Sequence, residues 1–128
     1  MQQSIAAWWF FYLSVLFLIK HYVADFLLQT GWMALGKARA ENWLLPLCIH
    51  VGIHTLGTAL ICLAVAPRLI WLAAVDFGVH FAIDRSKAVA SRAAGDDPTQ
   101  AVFWWLFGLD QTLHQLTHLV FVIVIAVA

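Results

Sequence analysis

A repeating step of four residues constrains this chain more than any other feature. Asp110, His114 and His118 stand at i, i+4 and i+8 inside an otherwise apolar stretch, 103–128. The same step joins His21 to Asp25, His50 to His54, and Asp76 to His80 and then Asp84, one set in each of three further apolar stretches. An α-helix turns about 100° per residue, so side chains four apart share one narrow stripe. The ten positions use all six histidines and four of the seven acidic residues. A fold that buries such stripes must turn them toward one another, and helices packed around a single polar centre do so.

The residues between the stripes make lipid the natural surrounding. Hydrophobic residues are 63% of the 128 and charged residues 11%, with a mean hydropathy of +0.86. Soluble domains average about 45–50% apolar and about 25% charged. A membrane-crossing helix takes roughly 20 mainly apolar residues, so four of them consume most of the chain and leave no room for a second domain. The expected fold is all-α: a four-helix transmembrane bundle with a polar His/Asp centre. It forms a single integral membrane domain over 1–128, with helices at about 4–28, 43–65, 68–91 and 99–127.

Punctuation agrees with these spans. Asn42 is a suitable N-cap for the second helix, and Pro46 is tolerated in its first turn. Pro67 breaks the chain before the third helix, 92–98 reads as a loop, and Asp97 or Thr99 can cap the fourth helix. The first span has no Lys or Arg before Lys20 and no cleavage pattern after it, so it is expected to be retained. Cys48 and Cys62 lack a Cys-x-x-Cys spacing and read as small buried apolar residues. A net charge of zero gives a nucleic-acid partner no electrostatic footprint.

Basic residues orient the bundle. Lys37, Arg39, Arg85, Lys87 and Arg92 fall at one end and only Arg68 at the other. The positive-inside bias places the first end in the cytoplasm and both termini outside. Trp8, Trp9 and Trp71 then mark the outer interface, Trp32 and Trp43 the inner one. At about 1.5 Å per residue, the four polar stripes lie at overlapping heights, roughly one to five turns from the cytoplasmic end.

Their chemistry points to metal. Interhelical hydrogen bonds in membranes average under about 1 kcal/mol, whereas four buried aspartates cost roughly 10–14 kcal/mol at about 2.5–3.5 each. A structural zinc is worth on the order of 10–16 kcal/mol, enough to offset them. The candidate ligands are His21, Asp25, His50, His54, Asp76, His80, Asp84, Asp110, His114 and His118, some of which would hold a ligating imidazole by its other nitrogen. Four carboxylates and ten donors suit one or two divalent ions. Mixed imidazole and carboxylate donors favour zinc, with iron or manganese as alternatives.

Other polar residues flank the stripes. Gln29 continues the first, and Lys87, three after Asp84, is placed to hold an anionic substrate group or to act as a positive-inside lysine. Lys20 snorkels or pairs with an aspartate. Gln111, Gln115 and Thr117 lie beside the last stripe, and Trp104 and Trp105 read as packing or interfacial anchors.

Lys20-His21-Tyr22-Val23-Ala24-Asp25-Phe26-Leu27-Leu28-Gln29-Thr30, the pair His50 and His54, the set Asp76, His80, Asp84 and Lys87, and segment 110–118 together resemble an uncharacterised family of small bacterial inner-membrane proteins, domain of unknown function 3307. The resemblance covers nearly the whole chain. It implies a multi-pass bacterial inner-membrane protein and supplies no activity. A fainter similarity is to membrane-embedded metal-dependent hydrolases, which also mix His-x-x-x-His with intramembrane aspartates. His50 and His54 alone look like the first box of membrane desaturases, whose further paired-histidine boxes this chain lacks.

Three functions follow as expectations. The first is a metal-dependent hydrolase open to the cytoplasmic side, with Asp84 as general base and Lys87 on a lipid-linked or phosphorylated small substrate. The second is a diiron-type membrane oxidoreductase, although such bundles more often use Glu-x-x-His. The third is a metal or proton transporter, against which stand the small size and the ligands' common depth. Membrane lipid is the one partner expected throughout; the sequence carries no cue to oligomeric state.

Overall fold

The computed structural model describes residues 6–128. Helix α1 (Ala7–Tyr22) runs without a break into a wide π turn, Val23–Leu27. A short helix α2 (Gly31–Lys37) follows, then α3 (Leu44–Val65), a 3-10 turn (Pro67–Leu69), α4 (Leu72–Ala94) and α5 (Ala101–Val127). Among the described residues there is no strand, as an all-α fold requires.

Side-chain partners give the helix directions. Going along α1, Lys20 meets Asp76 of α4 and Asp25 meets His50 of α3, which in turn meets Asp84. Thr58 bonds Asp76, so α3 descends where α4 ascends. His118 lies beside Lys20 and His114 beside Asp84, so α5 also runs opposite to α1 and α4. The four long helices alternate up and down along one axis.

Burial is inverted relative to a soluble domain. Twelve apolar and twelve polar or charged residues are buried among those described, and the polar set includes Lys20, Asp76, Asp84, Asp110 and all six histidines. Acidic and basic side chains are almost never buried in soluble proteins unless paired. Meanwhile large apolar side chains face outward, with Trp8 71%, Phe11 70% and Trp105 71% exposed. A hydrocarbon surrounding makes that exterior favourable, and it moves the cohesion of the bundle onto packing and polar contacts.

Three helical stretches are long and apolar enough to cross a membrane: Ala7–Leu27, Leu44–Val65 and Ala101–Val127. The fourth expected span, α4, does not meet that measure. This helix is equally long but carries Asp76, Asp84, Arg85, Lys87 and Arg92, and it tolerates them by turning Asp76, His80 and Asp84 inward against its neighbours. The connector after the first span also holds a helix, α2, which makes five in all among the described residues.

Helix boundaries shift for local reasons. Asn42 adopts φ 55°, turning the chain instead of capping α3, which starts from Trp43 with no side-chain cap. Residues 67–69 form a 3-10 turn, so α4 begins at Leu72. It then extends three residues past the expected end, to Ala94, where Gly95 at φ 94° lets Asp96 N–H close on Ser91 O. Neither Asp97 nor Thr99 caps α5, which starts from Gln100 with no side-chain cap; Asp97 instead closes the turn before it, accepting from Thr99 N–H and hydroxyl, which hold its carboxyl below the usual range.

One end of the bundle is closed by apolar packing. Leu13, Phe17, Cys62, Leu72, Phe121, Val122 and Ile125 form a buried cluster there. The opposite end carries α2 and the α4–α5 connection. Gly36 of α2 sits so close to α3 that a Cβ would lie 2.5 Å from Pro46 Cγ. Arg92 donates to Ala38 O at 2.8 Å and Arg39 O at 3.0 Å, and Arg85 donates to Arg39 O while stacking 3.8 Å over the Trp43 ring. Basic residues at this end therefore tie α4 to the carbonyls that follow α2.

Candidate metal centre

The inward stripes bring six of the ten candidate residues into one place. Asp25, His50, His54 and His80 offer ligand atoms within 4.8 Å of one another, and His80, Asp84 and His114 form a second such group. His80 belongs to both. Its ring centroid lies 3.9 Å from that of His54 and 4.0 Å from that of His114. Neither His80 nitrogen has a hydrogen-bond partner, and the same holds for both nitrogens of His50 and for His114 Nε2.

Such orphans are rare in native interiors and call for a reason. The distances supply one. His50 Nε2 lies 3.4 Å from Asp25 Oδ1 and 3.4 Å from Asp84 Oδ2, and His114 Nε2 lies 3.5 Å from Asp84 Oδ1. N–H···O hydrogen bonds centre at about 2.9–3.0 Å, and charge-assisted ones are shorter. Two donors on a tetrahedral ion at about 2.0–2.2 Å lie roughly 3.3–3.6 Å apart. The spacings match donors around an ion better than donors bonded to one another.

His114 sharpens the point. Its Nδ1 is 2.8 Å from Asp110 O. A carbonyl only accepts, so Nδ1 donates there and Nε2 is the nitrogen left facing Asp84. Nε2 and Asp84 Oδ1, 3.5 Å apart without a hydrogen bond, are spaced as two donors to one ion could be.

The other candidates take different roles. Asp25 accepts from His54 at 2.8 Å and lies 3.0 Å from His21 Nε2, inside the π turn that widens α1 there. Single π turns recur at functional sites. His21 also meets Gln111 Oε1 at 3.1 Å, and Gln111 donates to Asp110 Oδ2, so one glutamine fixes two stripe residues. Asp110 Oδ1 stays without a hydrogen-bond partner. Asp76 and His118 lie apart from the six. Lys20 Nζ is 2.9 Å from Asp76 Oδ2 and 3.3 Å from His118 Nε2, while Thr58 donates to the same Asp76 oxygen at 2.6 Å.

Three contributors fell outside the expected set. Thr58 continues the His50–His54 step and was legible in that spacing. Gln111 had been placed beside the stripe without a partner. Lys37 gave no signal: it lies in the unforeseen α2, yet its Nζ is 2.8 Å from Asp84 Oδ2. Lys87, by contrast, has no ion-pair partner among the described residues and lines a cavity of about 200 Å³ with Asp25, Lys37, Asp84, Arg92 and Asp110. That cavity connects the centre with the α2 end of the bundle.

The chain belongs to the family described as Protein of unknown function (DUF3307), whose model matches residues 13–128 and so covers all ten stripe positions. No curated protein and no solved structure matches it.

Proposed function

We propose that this protein is an integral membrane metalloenzyme of the bacterial inner membrane, a hydrolase built around one divalent ion. The reading rests above all on His114 Nε2 and Asp84 Oδ1, two potential ligand atoms 3.5 Å apart that share no hydrogen bond, beside a cavity. Asp25, His50, His54, His80, Asp84 and His114 are the ligand set from which three or four would bind, zinc fitting best and iron or manganese next. Charge favours one ion over two. Lys20 neutralises Asp76, and Lys37 offsets one of Asp25, Asp84 and Asp110, which leaves two negative charges for a divalent cation.

An ion held by these residues would supply an activated water, with its pKa lowered to about 7. Asp84, expected as the base, has Lys37 on one oxygen and imidazoles around both, so we assign it to the ligands. Asp110 lines the same cavity with Oδ1 unpartnered, and we assign it the base. The water oxygen bonds to the substrate's electrophilic centre as its proton passes to Asp110. The bond to the leaving group then breaks, the leaving group keeping the electron pair. A transporter fits less well, because apolar packing and the Lys20–Asp76 pair close the far end.

We further propose that α4 crosses beside the other three, with both termini periplasmic and the cavity cytoplasmic, from the grouping of basic residues at the α2 end. A single cysteine introduced at Asp96 should resist impermeant reagents in intact cells; ready labelling would reverse the orientation. The activity test is turnover of an activated phosphodiester such as bis(4-nitrophenyl) phosphate by zinc-loaded protein in lipid nanodiscs. Asp110→Asn should lose at least tenfold in kcat while keeping its metal. Equal rates for that variant and the wild type, or no rate above chelator-treated protein, contradict the hydrolase.

A further inference from the structure

Besides the polar cavity, the bundle has an apolar groove of about 280 Å³ between α4 and α5. Ala82, Ser86 and Ala90, four apart on α4, leave it open, and Leu106, Leu109 and Leu113 of α5 form its other wall. Spacings of four on one helix and three or four on the other align these residues along a single channel. Two residues, Lys87 and Asp110, line both the groove and the cavity. Asp110 is only 9% exposed and its Oδ1 has no hydrogen-bond partner, so groove and cavity meet at a buried residue of the proposed active site.

From this junction we infer that the substrate is an anionic phospholipid of the surrounding bilayer. Its acyl chain lies in the α4–α5 groove and its phosphate reaches the cavity at Lys87. The inference deepens the hydrolase reading and rests on it for what happens to the bound lipid, though not for the binding. Length agrees: Leu106 and Leu113 stand about one and a half to three and a half turns from the start of α5, a stretch that runs from headgroup depth into the chains. Charge agrees as well. With one divalent ion bound, Lys37, Lys87 and Arg92 outweigh Asp25, Asp84, Asp96 and Asp110 by one positive charge. The apolar depressions between α1 and α3 and between α1 and α5 differ, since their polar linings include Lys20 and His118 and they share no residue with the cavity.

The test uses full-length protein in phosphatidylcholine nanodiscs with a trace of phosphatidic acid carrying a diazirine in one acyl chain. After illumination, labelled peptides are mapped by mass spectrometry. Labelling should concentrate at residues 82–90 and 106–113, and Ala90→Leu, which fills the groove, should lower it at least fivefold. Lys87→Gln breaks no bond and should fold normally; it should lower labelling about threefold or more. Unlabelled phosphatidic acid should compete, whereas diacylglycerol and inorganic phosphate at equal concentration should not. Labelling spread evenly over all three grooves overturns the proposal. So does competition by diacylglycerol, which has no phosphate, or by phosphate alone, which has no chain. Since labelling needs no turnover, a protein that hydrolyses the soluble diester but fails here loses only the lipid. A protein that labels as expected but does not hydrolyse loses only the enzyme.

Discussion

Two clusters share these helices and the same residue types, and they end in opposite chemical states. Toward the closed end, Asp76 meets Lys20 and Thr58, and His118 Nε2 lies beside the same ammonium. That cluster carries its own cation. Toward the α2 end, Asp25, Asp84 and four imidazoles converge with five nitrogen positions left unbonded on His50, His80 and His114. The step of four that placed both clusters is identical, so spacing sets where a side chain goes and not what it does there. The difference comes from Lys20, whose stem crosses to Asp76 past Gly57, where a Cβ would lie 2.8 Å from Lys20 Cγ. One end is thus neutralised by its own lysine, while the other keeps two carboxylate charges beyond the one that Lys37 offsets.

The comparison breaks most sharply at Lys20. Lys20→Met leaves Asp76 buried without its counter-ion, which costs about 3–5 kcal/mol and should appear as a large fall in Tm. Lys20→Met combined with Asp76→Asn should recover most of that loss, because the stranded charge is gone. Metal content per folded protein should stay near the wild-type level in both. If Lys20→Met costs no stability, the closed cluster does not depend on its lysine and the contrast fails.

Histidines from the two clusters should separate next. His80→Ala removes the residue common to both ligand groups, and we expect at least a tenfold loss of metal affinity, read by elemental analysis after dialysis against a graded chelator. His118→Ala, which removes a ring beside Lys20, should change that affinity less than twofold. Equal losses would merge the two clusters into one site.

A smaller effect is expected at the rim. Gly36→Ala forces a Cβ against Pro46, and overpacking of this kind costs about 1–3 kcal/mol. It should tilt α2 and withdraw Lys37 from Asp84, lowering Tm modestly with little loss of metal. Lys37→Ala combined with Gly36→Ala should then add little beyond Gly36→Ala alone.

Much of this was legible beforehand. The four stripes could be read because periodicity survives in apolar surroundings, where each His or Asp stands out. All ten positions cover the interior at overlapping heights, and the pairing of Lys20 with an aspartate was one of two fates open to it. The partition into two clusters was not legible, since it depends on which aspartate Lys20 reaches, and Gly57 and the helix packing decide that. Lys37 was hidden for another reason. A seven-residue helix spans two turns and leaves no periodic signature, and its contact with Asp84 is 47 positions away in sequence. The polarity of α4 was visible, yet four spans were expected because four apolar stretches of bilayer length were read in the chain.

The account stands on the metal. Protein expressed at native level, purified in mild detergent without chelator and checked for fold by circular dichroism should carry close to one equivalent of zinc, iron or manganese by elemental analysis. Asp76→Asn made together with Lys20→Met should keep that equivalent, and His80→Ala should lose it. Folded wild-type protein that holds no such metal, and takes up none when titrated with all three ions, would contradict the central claim.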